Sequence, residues 1–192
     1  MEIVLDIETS LTFAEVKAKT QFAALHTSVF ALHPWIAVTC DEKGNEERWT
    51  SDDATRLLER LLGARVIGWN VLAFDLPIVV QTALFQGDAQ ALEPMDVLDV
   101  FEAIRKATSV MVKLEEVAQL NFGAGKLGDS AFIPQQLQAG DFERVYAHCA
   151  RDVRLEWDVY RAALNGLRLP AVAPSKHLPD GLPEQTFALP AP

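Results

Sequence analysis

MEIVLDIETS, residues 1–10, is the stretch on which the fold of this chain turns. Ile3, Val4 and Leu5 form a short apolar run with the character of a buried strand. At its end stand Asp6 and Glu8, two positions apart, a spacing that puts both side chains on one face of a strand. Two acids so placed repel each other unless a cation lies between them. Carboxylates hold hard divalent ions such as Mg²⁺ or Mn²⁺ in this way. The plainer reading is a strand that simply runs out into polar solvent, and the choice rests on whether further acids arrive from elsewhere.

Moving outward, Phe13, Val16, Phe22 and Leu25 give residues 13–25 helical spacing. Trp35–Cys40 and Glu46–Thr50 flank the polar turn Asp41-Glu42-Lys43-Gly44-Asn45, a hairpin pattern. Ser51 or Asp52 is the expected cap of a helix reaching Leu62, with Gly63 ending it. Arg65–Trp69 reads as a strand, and Leu76–Phe85 as a helix with Pro77 in its first turn. Met95–Phe101 reads as a short strand or a turn into helix, and Val112–Leu120 as a helix. Gly123–Asp129 lacks the spacing of a phosphate loop and reads as a mobile surface loop. Asp141 is the expected N-cap of the longest helix, which runs to about Leu167.

From Arg168 the pattern stops. Six of the ten prolines lie in residues 170–192, so 168–192 is expected to be an extended or disordered tail behind one domain spanning 1–167. The order of elements implies an α/β fold, a mixed five-stranded sheet with helices on both faces.

Two further acids stand in suggestive places. In Val66–Val79, VIGWNVLAFDLPIV, Asp75 opens a helix just past a strand; it is either a helix N-cap or a carboxylate facing the end of the first strand. Asn70 is either a turn residue or a donor to a substrate sugar or phosphate. In Tyr146–Val153, YAHCARDV, His148 and Asp152 are four apart and share a helix face. An acid near the inward stripe of a buried helix is costly unless paired or bound to a metal. His148 alone is a structural residue; beside a metal-site acid it can orient or deprotonate a water.

VLDIET, VIGWNVLAFDLPIV and HCARDV, in that order, resemble the three motifs of DEDD-superfamily 3′–5′ exonucleases, which have the ribonuclease H-like fold. The closer likeness is to the exonuclease domain of family B DNA polymerases and its stand-alone or helicase-linked bacterial relatives, over residues 1 to about 165. The resemblance implies that Asp6, Glu8, Asp75 and Asp152 are the metal-site acids for two Mg²⁺ or Mn²⁺ ions. Asp6, Glu8 and Asp152 would bind one ion directly, Asp6 would bridge to the second, and Asp75 would act through water. It assigns Ile7, Thr9, Asn70 and Phe74 to substrate contact. The family carries either Tyr four positions before the last acid or His five before it. This chain follows neither pattern, because His148 stands where the Tyr would be and Ala147 at the other class's His position.

The implied function is two-metal hydrolysis of the terminal phosphodiester of a single-stranded 3′ end, with DNA preferred over RNA. His148 would hold the attacking water, at a cost of roughly 10²–10⁴-fold in rate if lost. The runner-up is a catalytically weak or inactive binding module attached to a helicase or polymerase. An endonuclease or transposase of the same fold shares the metal chemistry, but the Asn70–Asp75 segment points away from it.

Bulk properties bound these readings. Across 192 residues, half of them apolar, the chain can bury a real core. A net charge of −10 argues against gripping long nucleic acid through a broad basic surface, yet not against an acidic pocket loaded with cations. Arg105, Lys106, Lys113, Lys126, Arg151 and Arg154 could guide a backbone or simply be solvated charge, and Trp69 and Phe74 could stack a base or fill the core. No apolar run reaches membrane-spanning length, no signal peptide is evident, and the two cysteines fit a reducing cytoplasm.

Overall fold

Alternation along the first strand, β1 (Glu2–Thr9), sets the architecture. Ile3, Leu5 and Ile7 point to one face of the sheet; Val4, Asp6 and Glu8 point to the other. The computed structural model describes residues 1–11, 34–85, 95–123, 132–172 and 180–190. The helix expected over 13–25 lies outside these residues, as does nearly all of the 123–129 loop.

β1 pairs antiparallel with β2 (Trp35–Asp41), from Ile3 opposite Asp41 to Thr9 opposite Trp35. β2 turns into β3 (Glu46–Thr50), the expected hairpin, with Asp41 accepting from the Lys43 and Asn45 amides to shape the turn. On its other edge β1 runs parallel to β4 (Arg65–Gly68), which is followed by β5 (Asp96–Asp99), also parallel. The strand order β3-β2-β1-β4-β5 is the mixed five-stranded sheet implied by the sequence.

Helices cover both faces. α1 (Ala54–Leu62) and α2 (Asp75–Phe85) pack on the side of Ile3, Leu5 and Ile7. Full burial of Leu57 and Leu61 there contributes about 1.5–3 kcal/mol each. The turn into α1 starts a residue earlier than expected: the carboxylate of Asp53 reaches back to the amide and hydroxyl of Thr50. α3 (Val100–Thr108), α4 (Leu114–Phe122), α5 (Ile133–Ala139) and α6 (Phe142–Ala163) share the Val4 side, where Ile36, Val38, Cys40 and Ile67 complete a second core. The Met95–Phe101 stretch is thus both things expected of it, strand to Asp99 and helix after it. α5 ends on Gly140 at φ 77°, a left-handed cap reached cheaply only without a Cβ, and Asp141 then takes the N-cap position of α6.

The placement of α6 matters most. The Tyr160 hydroxyl donates to Glu2 at 2.7 Å, and at the opposite end His148 Nδ1 lies 3.1 Å from Glu8 Oε1. Glu2 to Glu8 is about 20 Å of strand, and His148 to Tyr160 about 18 Å of helix. The two lengths match, so α6 lies antiparallel along β1 and one line of its side chains, His148, Asp152, Glu156 and Tyr160, tracks the acid-bearing face. Trp157 Nε1 on Cys40 O and the Tyr146 hydroxyl on Trp49 O, both at 3.1 Å, hold the helix to β2 and β3.

Where it is described, the C-terminal segment is extended, one of the two states expected of it, and it packs on the domain. α6 stops at Ala163, and β6 (Leu167–Leu169) pairs antiparallel with β7 (Gln185–Phe187), with Val172 bridged to Leu182 beyond them. Leu167, Leu169, Phe187 and Leu189 are buried in the α6-side core, and the Leu189 amide donates to Ala163 O at 2.8 Å. The described part of 168–190 is therefore an extended arm that packs on the core and not a loose tail. Prolines punctuate the segment but spare the paired residues, and the alternation of Leu167 and Leu169 about Arg168 is itself a strand pattern.

Candidate metal centre

Three of the expected residues meet at the C-terminal end of β1. Glu8, His148 and Asp152 each offer one donor atom, and these atoms all lie within 4.8 Å of one another. His148 Nδ1 stands 3.1 Å from Glu8 Oε1 and 3.8 Å from Asp152 Oδ2. Asp152 is fully buried and His148 nearly so, whereas Glu8 keeps a small exposed margin. The helical i, i+4 spacing puts the imidazole and the Asp152 carboxylate on one face, and the β1–α6 register brings Glu8 to meet them.

Asp75 enters from the opposite layer. β1 pairs with β4 only as far as Val4, because β4 ends at Gly68. Past that point the Ile7 amide would be left without a strand partner, and Asp75 Oδ1, on the first residue of α2, accepts from it at 2.9 Å. Asp75 is thus more than a helix cap: it closes the open edge of β1 between the two expected metal acids. Burial first, and then the charge of Asp6, push its carboxyl well above the usual carboxylate range, with Glu8 adding to the effect. Asp6 and Glu8 raise the buried Cys149 thiol as well, after burial itself, so Cys149 is a neutral donor whose Sγ points at Asp6 O, 3.1 Å away. The negative charge of Asp6 and Glu8 is therefore felt by both layers that flank β1. A concentration of carboxylates this deep in the protein fits a metal ion, which would offset their repulsion.

The expected substrate contacts divide. The side chain of Ile7 belongs to the core on the α1–α2 side, so what it presents toward the site is backbone. Thr9 is buried, its hydroxyl donating to Leu11 O at 2.8 Å. Asn70 sits at φ 64°, the left-handed region that Asn tolerates better than most residues, and its carbonyl accepts from Ala73 and Phe74. It is a turn residue whose side chain is half-buried. Phe74 packs partly against the α1–α2 core, and Trp69 leans on Phe101 with ring centroids 5.6 Å apart. Of the basic candidates, Arg105 and Lys106 pair with Glu102, and Arg154 pairs with Glu46; these are surface ion pairs of small energetic weight. Lys126 lies outside the described residues.

Two acids that the sequence did not single out organise the turn before Asp75. Asp99 is buried at the head of α3; its Oδ1 accepts from the Asn70 and Glu102 amides, both at 3.0 Å, and its Oδ2 from Leu72 at 3.1 Å. Glu156, also buried, accepts from the Trp69 amide at 3.3 Å. Between them they fix the backbone of 69–72, and through it the start of α2 and Asp75. The signal for Glu156 was present, since it continues the four-residue spacing of His148 and Asp152.

No helix among the described residues is long and apolar enough to cross a membrane. No family model matches the sequence, and no curated protein matches it. Among solved structures the chain is similar to the family B DNA polymerase of the hyperthermophilic archaeon Pyrobaculum calidifontis, with a TM-score of 0.58 and 12% identity over 85% of this chain. The chain spans about a quarter of that polymerase, 24% of its length. At that identity the likeness is one of fold, and the fold, with its mixed sheet ordered β3-β2-β1-β4-β5 and helices on both faces, is ribonuclease H-like.

Proposed function

We propose that this chain is a metal-dependent 3′–5′ exonuclease that hydrolyses the terminal phosphodiester of single-stranded nucleic acid, DNA in preference to RNA. The observation that carries the proposal is the meeting of Glu8 from β1 with His148 and Asp152 from α6, beside Asp6 and Asp75. A chain that only binds partners has no need to bury acids against one another at such electrostatic cost. Bound divalent cations would supply charge neutralisation at the phosphodiester and a more acidic attacking water.

The rest is done by the chain's own residues. Glu8 and Asp152, with Asp6, form the acidic floor that would hold the cations. Asp75, anchored on the Ile7 amide, fixes the end of β1 so that Asp6 and Glu8 keep their spacing. Asp99 and Glu156 hold the 69–72 turn that leads into Asp75. Cys149 keeps the Asp6 backbone in register with α6.

A 5′-labelled single-stranded oligonucleotide tests the proposal. It should shorten stepwise from its 3′ end with Mg²⁺ or Mn²⁺ and stay intact with EDTA or in Asp6→Ala. A circular single strand should survive. Full-length substrate under every cation would favour the second reading, a catalytically inactive module docked to a helicase or polymerase. The specific observation on that side is His148, in contact with Glu8 where the family places a tyrosine.

A further inference from the structure

We propose that His148 is itself a ligand of the cation, and that this makes the centre selective for first-row transition ions over Mg²⁺. The inference rests on the metal-centre reading above and deepens it.

Three observations support it. His148 Nδ1 is 3.1 Å from one carboxylate oxygen and 3.8 Å from another, on Glu8 and Asp152 respectively. Donor atoms about 2.1 Å from a shared ion stand about 3.0–3.4 Å apart in octahedral or tetrahedral shells, so little movement is needed to close a shell around one ion. Second, the imidazole and the Asp152 carboxylate are four residues apart on one helix, the same i, i+4 geometry by which two helical side chains chelate zinc. Third, Nδ1 is turned toward two carboxylates on a buried face, the oxygens with which a cation would be shared, rather than toward open solvent.

The donor set then determines the ion. Mg²⁺ is bound by oxygen and gives up its water reluctantly, so an imidazole adds little to its affinity. Mn²⁺, Co²⁺ and Zn²⁺ accept imidazole readily, with affinities rising from Mn²⁺ to Co²⁺. A tyrosine at position 148 would offer no such donor.

The test uses the full chain and the metals alone, without nucleic acid. Mn²⁺ bound to the wild type should show ¹⁴N modulation in pulsed electron paramagnetic resonance, replaced by a ¹⁵N signal when histidine is ¹⁵N-labelled. By calorimetry, Mn²⁺ should bind at least about tenfold more tightly than Mg²⁺, a preference that His148→Gln or His148→Tyr reduces to about threefold or less. Absence of nitrogen coupling in the wild type would overturn the proposal, as would an unchanged Mn²⁺ to Mg²⁺ ratio in the variants. Should neither variant fold, the isotope experiment is repeated with the other three histidines, His26, His33 and His177, replaced by Gln, and loss of the ¹⁵N coupling there would overturn the proposal. Nitrogen-coupled Mn²⁺ in a protein that cleaves no oligonucleotide would sustain this inference while removing the nuclease proposal.

Discussion

Asp99 offers a prediction whose size can be worked out atom by atom. Its carboxylate is buried and accepts three backbone amides, two on Oδ1 (Asn70 and Glu102) and one on Oδ2 (Leu72). Hydrogen bonds to a charged acceptor contribute about 1.5–3 kcal/mol each, and the one from Glu102 is a helix N-cap worth about 1 kcal/mol. Asp99→Ala strands all three donors; with some relief from water the expected loss is about 3–6 kcal/mol. Asp99→Asn can direct its one oxygen to Asn70 and Glu102, but turns an amide NH₂ toward the Leu72 N–H. It should lose only about 1–3 kcal/mol. For a domain of this size each kcal/mol shifts the melting temperature by about 2–4 °C. Urea titration of the two variants gives the ordering, and amide exchange at Asn70 and Leu72 locates it. A loss under 1 kcal/mol in Asp99→Ala, or an equal loss in both variants, would refute the view that this carboxylate holds the 69–72 turn.

Other substitutions probe other layers. The raised Asp75 carboxyl means that the folded, metal-free protein keeps a proton the unfolded chain has released, so stability falls as pH rises from the ordinary carboxylate range through the raised value. In EDTA, Asp75→Asn should therefore flatten the pH dependence of urea unfolding and stabilise the protein at pH 8, while weakening divalent-ion binding; a destabilised variant at that pH contradicts the assignment. Tyr160 is pushed up to about 12 by burial and by its bond to Glu2, so the stability it contributes is complete below about pH 10 and lost as pH rises toward 12. Tyr160→Phe should cost about 1 kcal/mol at neutral pH and shrink that alkaline loss, measured by unfolding between pH 9 and 12. Leu169→Ala should cost about 2–5 kcal/mol, since Leu169 is fully buried; a neutral result in thermal melts would restore the loose-tail view.

Much of this was legible because it rests on short periods. The i, i+2 spacing of Asp6 and Glu8 and the i, i+4 spacing of His148 and Asp152 each state which side chains share a face, and one strand-to-helix register then brings the two pairs together. The hairpin at 41–45 and the helix after Gly140 declared themselves through turn chemistry. What stayed hidden depends on contacts between distant segments. Asp99 and Glu156 look like solvated acids until the turn they hold, about 30 and 87 residues away in sequence, is laid beside them. Asp75 was legible as a carboxylate facing the end of β1, but not its bond to the Ile7 amide, because nothing local reveals that β4 stops short of that residue. The C-terminal arm was obscured by its prolines, and its strands pair across 16 to 20 residues, beyond the reach of any local pattern.

The most direct test of the central claim is an anomalous difference map from crystals soaked in Mn²⁺. The expected result is a strong peak at the end of β1, within ligand distance of Glu8, His148 and Asp152 and adjacent to Asp6. A map with no peak there at millimolar Mn²⁺, or with peaks only among surface carboxylates, would show that these buried side chains pack against one another and hold no ion.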